Sequence, residues 1–233
     1  MIVDISKHQG DIDWGQLAPS LDFVIMKATG DKYNGTDPTF AYNVNQCKAH
    51  GVPFHVFHFM RSLSVEEARK EAAYFYSVAS LHNPISYVVD VEEDSLACGI
   101  AVEMTKVFIA ELRRLGAGCI GLYTGHSAYT EFGFAGTGFD WLWIARYGYR
   151  NDGNLPDKNH RPVPCDLWQY SSHGKAPGIA GDVDVDIIWG DKPLSYFTGG
   201  DVMPVIIGSA HIDENGKAHG GKPGNQTGKE VDS

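Results

Sequence analysis

Eight short apolar, β-prone runs constrain this chain more than any other feature of it. They are Ile2–Ile5, Phe23–Lys27, Phe54–Phe59, Tyr87–Val91, Cys119–Tyr123, Trp141–Ala145, Asp166–Tyr170 and Val183–Ile188. Most are apolar at consecutive positions, which a strand tolerates only when both faces of its sheet are covered, as in a buried parallel sheet. Helical patterns separate the early runs. The clearest opens at Ser64, with Glu67 three residues on as a capping box, and repeats Val65, Ala68, Ala72, Phe75 and Ala79 at helical spacing. A second spans about Ile100 to Leu115 and stops at Gly116, a residue suited to the left-handed C-cap. Shorter helices are expected around Trp14–Ser20, Thr39–His50 and His126–Phe132. After Trp141 the connections turn rich in Gly, Pro and Asn and no amphipathic helix follows. The fold class expected is therefore α/β: five β/α units, then three strands lacking outer helices, closed as an irregular TIM-like barrel. An open doubly wound sheet is the alternative, but no Gly-rich phosphate loop follows any strand.

The composition breaks near residue 198. All 27 aromatic residues precede that point, and 199–233 is a Gly-rich stretch too poor in large side chains to build a core. Residues 1–198 are expected to form the barrel, and 199–233 a linker or the start of a second domain. No apolar run reaches the ~18 residues of a membrane span. A net charge of −10 argues against a nucleic-acid partner, which needs a basic face, and against simple adhesion to anionic lipid. Met1 runs straight into Ile2-Val3-Asp4, so a secretory signal is not expected and synthesis in the cytoplasm is. The four cysteines show neither C-x-x-C pairing nor metal-ligand spacing, and are expected to be reduced.

In such barrels the working residues lie at the carboxyl ends of the strands. Those ends are acidic here. Asp4 closes the first run, Asp90 and Glu92 the fourth, and Asp182, Asp184 and Asp186 punctuate the last. Strand alternation puts Asp90 and Glu92 on one face, with Cα atoms about 6.6 Å apart, and turns Glu93 away. One strand-end acid is ordinarily solvated or caps a helix. Acids from three strands converging on one rim are harder to explain that way. Tyr123, Trp143, Tyr147, Trp168 and Tyr170 are expected to flank them, although Trp143, on an apolar strand, is by itself better suited to the core than to stacking on a ligand. Arg61, just past the third run, joins these aromatics as a candidate substrate-binding residue. Acids beside aromatic faces suit a sugar, whose rings stack while its hydroxyls bind carboxylates. Two carboxyl groups across a glycosidic bond are the minimum for its hydrolysis. A metal or other cofactor is not expected. His55 and His58 fall on opposite strand faces, one directed to the site and the other to a helix, and His8 near Asp4 has no second histidine beside it.

Seven ordered blocks resemble glycoside hydrolase family 25, the muramidases. They are Asp4-Ile5-Ser6-Lys7-His8-Gln9-Gly10, Val24-Ile25-Met26-Lys27-Ala28-Thr29, Asp90-Val91-Glu92, Leu122-Tyr123-Thr124-Gly125, Trp143-Ile144-Ala145-Arg146-Tyr147, Leu167-Trp168-Gln169-Tyr170-Ser171-Ser172, and Gly178-Ile179 through Gly181-Asp182-Val183-Asp184. The resemblance implies a barrel of five β/α units and three further strands. It also implies hydrolysis of the β-1,4 bond between N-acetylmuramic acid and N-acetylglucosamine in bacterial peptidoglycan glycan strands, with retention and substrate assistance. Matched residue by residue, it makes Glu92 the proton donor, Asp90 the transition-state stabiliser, and Asp4 and Asp184 the acids that set the field around the pair. Asp184 is preferred to Asp186 by its distance from Gly181. His8 stands where many relatives carry tryptophan. The 199–233 stretch resembles the opening of a second wall-directed domain of phage lysins, which points to an endolysin that acts on the wall after release. A non-catalytic wall-binding module on the same fold is the competing function.

Overall fold

The computed structural model describes residues 1–31, 35–200, 211–212 and 218–219. The chain divides into Met1–Gly200 and Asp201–Ser233. In the second unit, His211–Ile212 and Ala218–His219 pair antiparallel. The remainder of the 199–233 stretch singled out in the sequence lies outside the described residues from Asp201 on.

The first unit is a closed barrel. Its strands are β1 (Ile2–Ile5), β2 (Phe23–Asp31), β4 (Phe54–Phe59), β5 (Tyr87–Asp90), β6 (Ile120–Gly125), β7 (Trp141–Ala145), β8 (Leu167–Gly174) and β9 (Val183–Ile188), with a short outer strand β3 (Gly35–Thr36) on β2. Around the ring, neighbours from β1 through β8 pair parallel, while the outer β3 runs antiparallel to β2. Strand β9 runs antiparallel to both β8 and β1 and closes the ring. The connection 175–182 leaves room for a hairpin but not for a crossover, which takes a dozen residues or more.

Helices α1 (Trp14–Leu17), α2 (Phe40–His50), α3 (Val65–Ala79), α4 (Glu93–Ala97), α5 (Ala101–Leu115) and α6 (His126–Phe132) follow the first five barrel strands, and none of comparable length follows β7 or β8. Ser64 caps α3 by accepting from the Glu67 amide, but the Glu67 carboxylate reaches back to the Leu63 amide (2.8 Å) rather than closing the expected box on Ser64. Gly116 ends α5 in the left-handed region, as its position predicts.

Two cores result from strand alternation. The outer one, between sheet and helices, holds residues such as Val24, Val56, Val89, Leu122, Phe75 and Phe108. The inner one fills the barrel with Phe23, Phe57, Tyr123, Trp141, Trp143 and Phe197. Gly121 is required here, since a Cβ would sit 2.6 Å from the Trp141 ring. The last helix, α7 (Leu194–Thr198), closes the end opposite the strand carboxyl termini. Its Phe197 stacks on Phe23 and meets Trp141 edge-on, and its carbonyl accepts from His55 Nε2 (2.9 Å) while His55 Nδ1 accepts from Ser86 (2.6 Å). His55 therefore points into the barrel but plugs the wrong end for the site, held neutral by burial that lowers its pKa to about 4. His58 faces the helices. Its Nε2 donates to Glu71 of α3 (2.9 Å) and its Nδ1 accepts from Thr29 (2.7 Å).

Candidate active site

At the carboxyl ends of the parallel strands lies a cavity of about 260 Å³. Asp4, Lys27, Phe59, Asp90, Glu92, Tyr123, Trp143, Tyr147, Gln169 and Asp184 line it, with His8 and Ser6 from the turn after β1. Each reaches it by alternation along its strand. Asp90, register partner of Tyr123, ends β5, and Glu92 follows two residues on as the N-cap of α4. The Glu92 carbonyl is tied down by the Ser95 hydroxyl (2.6 Å) and amide, which fixes the backbone that carries the carboxyl group. Asp184 arrives differently. Because β9 is antiparallel, its amino-terminal half lies at the rim. Asp184 is there opposite Asp4, while Asp186, opposite Ile2, lies one layer deeper. Had β9 been parallel, as the sequence reading assumed in placing it among the strand carboxyl ends, Asp186 would be the residue nearer the rim. Asp186 is instead buried outside the cavity lining, its Oδ1 accepting from Trp143 Nε1 (2.7 Å).

Gln169 organises the remaining side. Its Oε1 accepts from the phenols of Tyr123 (2.8 Å) and Tyr147 (2.6 Å), and its Nε2 donates to Asp4 Oδ2 (2.7 Å). Two donors on the oxygen leave the amide a single orientation, so one acceptor of Asp4 is always engaged.

The acids are held above their ordinary pKa values. Burial is the main cause for every one of them. Asp4 is raised further by the charges of Asp184 and Asp186, and lowered by the Gln169 bond. Asp90 is raised further by Glu92, with which it makes a carboxyl–carboxylate hydrogen bond, and lowered by Lys27. Glu92 is raised after burial by Glu93 and Asp184 and lowered by Asp90 and Lys27. Asp184 is pushed up to about 6. Glu93, turned out to solvent as expected, still acts through its charge. The repulsion on Glu92 thus comes from Glu93 and Asp184, and not from Asp4, which is itself raised by Asp184. Lys27 is the cation of the cavity floor, buried, with Nζ 4.9 Å from the Phe59 ring centre.

Of the aromatics expected at the rim, Tyr123, Trp143 and Tyr147 line the cavity. Trp168 and Tyr170 do not. They alternate with Leu167 and Gln169 and so turn to the opposite face, where Trp168 is fully buried against Trp189 and donates to the Arg146 carbonyl (2.8 Å). Tyr170 packs beside it. Arg61 also stays off the lining, its Nε donating to the Gly30 carbonyl (3.0 Å) and its guanidinium over Phe59. Gln169 and Lys27 were missed in the sequence. Lys27 had a signal: it is the sole charge in Phe23–Gly30, and a buried charge needs a counter-charge. Gln169 had none, because both faces of β8 are covered and alternation cannot be read from polarity. Among the described residues no group of three or more His, Cys, Asp or Glu is placed to hold a metal ion, and no helix is long and apolar enough to cross a membrane. Cys47, Cys98, Cys119 and Cys165 are free thiols.

A barrel whose rim gathers carboxyl groups of raised pKa among tyrosine and tryptophan has the site of a glycoside hydrolase. The family model of the glycosyl hydrolases family 25 matches residues 3–179, three quarters of the chain, and the chain belongs to that family. The match includes Asp4, Asp90 and Glu92 and ends before Asp184. Among relatives, the uncharacterized protein YegX of Escherichia coli O6:H1 is 28% identical over 211 residues, covering 85% of this chain and 73% of its own. A family 25 glycosyl hydrolase of Streptococcus pneumoniae is 27% identical with a TM-score of 0.76, covering 85% of this chain and 91% of that one. The catalytic domain of the endolysin Ply40, from bacteriophage P40 of Listeria monocytogenes, is 26% identical with a TM-score of 0.76, covering 85% and 96%.

Proposed function

We propose that this protein is a muramidase that hydrolyses the β-1,4 bond between N-acetylmuramic acid and N-acetylglucosamine in peptidoglycan. The observation that carries the reading is the Asp90–Glu92 pair, the last residue of β5 and the N-cap two residues on, both lining the cavity and both held toward the protonated form chiefly by burial. An acid cannot protonate a leaving oxygen unless it holds its proton near working pH, and a glutamate of ordinary pKa about 4.3 does not. Glu92, the more accessible of the two, is the donor to the leaving oxygen. Asp90, buried behind it beside Lys27, orients the substrate's 2-acetamido group for internal attack and takes up charge as the oxocarbenium ion develops. Asp4, fixed by Gln169, and Asp184 shape the field across the bond. Tyr147 and His8 line the same cavity and are placed to contact the sugars.

The likeness to the catalytic domain of a Listeria phage endolysin supports a wall polymer as substrate. The test is clearance of a suspension of purified Gram-positive cell walls, followed by identification of the new reducing end. The proposal expects clearance with muramic acid at that end. Binding without clearance would make the chain a wall-binding module, and glucosamine at the reducing end would make it a glucosaminidase.

A further inference from the structure

The cavity continues past Glu92 into a second groove of about 410 Å³, lined by Gly125, His126, Ser127 and Arg146 together with Glu92, Tyr123 and Tyr147. It shares those last three residues with the catalytic cavity and none of the other carboxyl groups. Glu92 is the sole acid in its lining, so this wall differs in charge from the catalytic cavity, where Asp4, Asp90 and Asp184 would repel an anion. Arg146 is half-buried, and its guanidinium is anchored through one nitrogen to the Arg161 carbonyl, with no carboxylate paired to it among the described residues. His126 beside it accepts the Val163 amide on Nδ1 (3.1 Å). The proton of the neutral ring is therefore on Nε2, a donor. The backbone leading into Arg146 is rigid, since its amide donates to Gln169 (3.0 Å) and its carbonyl accepts from Trp168. A protein of net charge −10 that leaves a half-buried, positioned guanidinium without an acidic partner, next to its proton donor, has a place for a substrate anion.

We propose that this groove is a carboxylate-recognition subsite in which Arg146, assisted by His126, binds an acidic group of the glycan on the side of the scissile bond that Glu92 protonates. The inference rests on the muramidase reading. Two carboxylates of such a substrate share the required chemistry: the lactyl group of a peptide-free muramic acid, and a free carboxylate of a stem peptide.

The test compares wild type, Arg146→Gln and Arg146→Lys on four soluble glycan preparations. These are peptide-free strands with the lactyl group as free acid or as methylamide, and peptide-bearing strands with the stem carboxylates free or amidated. Wild type is expected to prefer one free-acid form over its neutral counterpart by roughly tenfold in kcat/KM, through KM. Arg146→Gln should abolish that preference, and Arg146→Lys should restore part of it, at matched melting temperature. A preference seen only in the peptide-free pair assigns the lactyl group, and one seen only in the peptide-bearing pair assigns the stem. Equal kcat/KM on acid and neutral forms in wild type, or a preference that survives Arg146→Gln, overturns the subsite. Release of no reducing ends from any preparation by wild type would overturn the muramidase reading instead.

Discussion

Glu92→Gln keeps the size and the backbone ties to Ser95 and removes the transferable proton. General acid catalysis contributes about 10²–10⁴-fold, so reducing-end release should fall by at least a hundredfold while wall binding in a pelleting assay is retained. Activity above a few per cent would remove Glu92 from the donor role. Asp184 bears on Glu92 through its charge. Asp184→Asn should therefore lower the Glu92 pKa, and because the donor is then lost sooner as pH rises, the alkaline limb of the residual rate should move to lower pH. Asp4→Asn should leave that limb in place, since Asp4 is not among the charges that shift Glu92. Rate against pH on a soluble substrate separates the two. The acids themselves were legible in the sequence because a carboxylate at a strand end is conspicuous in an apolar run. Gln169, which orients Asp4 from β8, was not, because its part depends on two phenols and a carboxylate brought from other strands.

At the scale of the elements, bounds were largely readable from capping and periodicity. Runs Ile2–Ile5, Phe54–Phe59, Trp141–Ala145 and Val183–Ile188, and the helix His126–Phe132, have in the structure the bounds their patterns predict. The direction of β9 was not read, although the short 175–182 connection carried the signal, and that direction decides which acid reaches the rim. Trp168 and Tyr170 were misplaced for a related reason. In a strand buried on both faces, hydrophobicity carries no parity, so the two rings could equally have faced the sugar or the outer core. The barrel interior makes a sharper prediction. Gly121→Ala would drive a Cβ into Trp141, and overpacking of this kind typically costs about 1–3 kcal/mol, to be read from the denaturant midpoint at unchanged slope.

For the molecule as a whole, five carboxyl groups with raised pKa values make stability depend on pH in a defined direction. Each binds its proton more tightly folded than unfolded. Their contribution is complete below about pH 4 and is lost as pH rises through the folded values, which for Asp184 is about 6. His55, its pKa lowered to about 4, acts in the opposite direction over the same range, so the cluster is read by difference: Asp184→Asn should melt above wild type at pH 7.5 but not at pH 4. No difference between the two proteins at pH 7.5 would mean that the cluster is solvated. Ending the chain after Gly200 should preserve folding and catalysis. Ending it after Pro193 removes Phe197 and the acceptor of His55, and should cost roughly 3–5 kcal/mol in unfolding experiments, as loss of a buried phenylalanine does. What the sequence determined by itself was local. Apolar runs and caps placed the strands and helices, their order implied a barrel with five covering helices, and acids at the strand ends marked the rim. Only the tertiary structure decided which faces meet. The closure of the barrel by a reversed strand chose Asp184 over Asp186, the face that β8 turns to the barrel chose Gln169 over Trp168, and the turn after β7 brought Arg146 into one groove lining with Glu92. Those outcomes depend on relative strand direction and on which of two buried faces a side chain takes, and a pattern of hydrophobicity along one chain is the same for both.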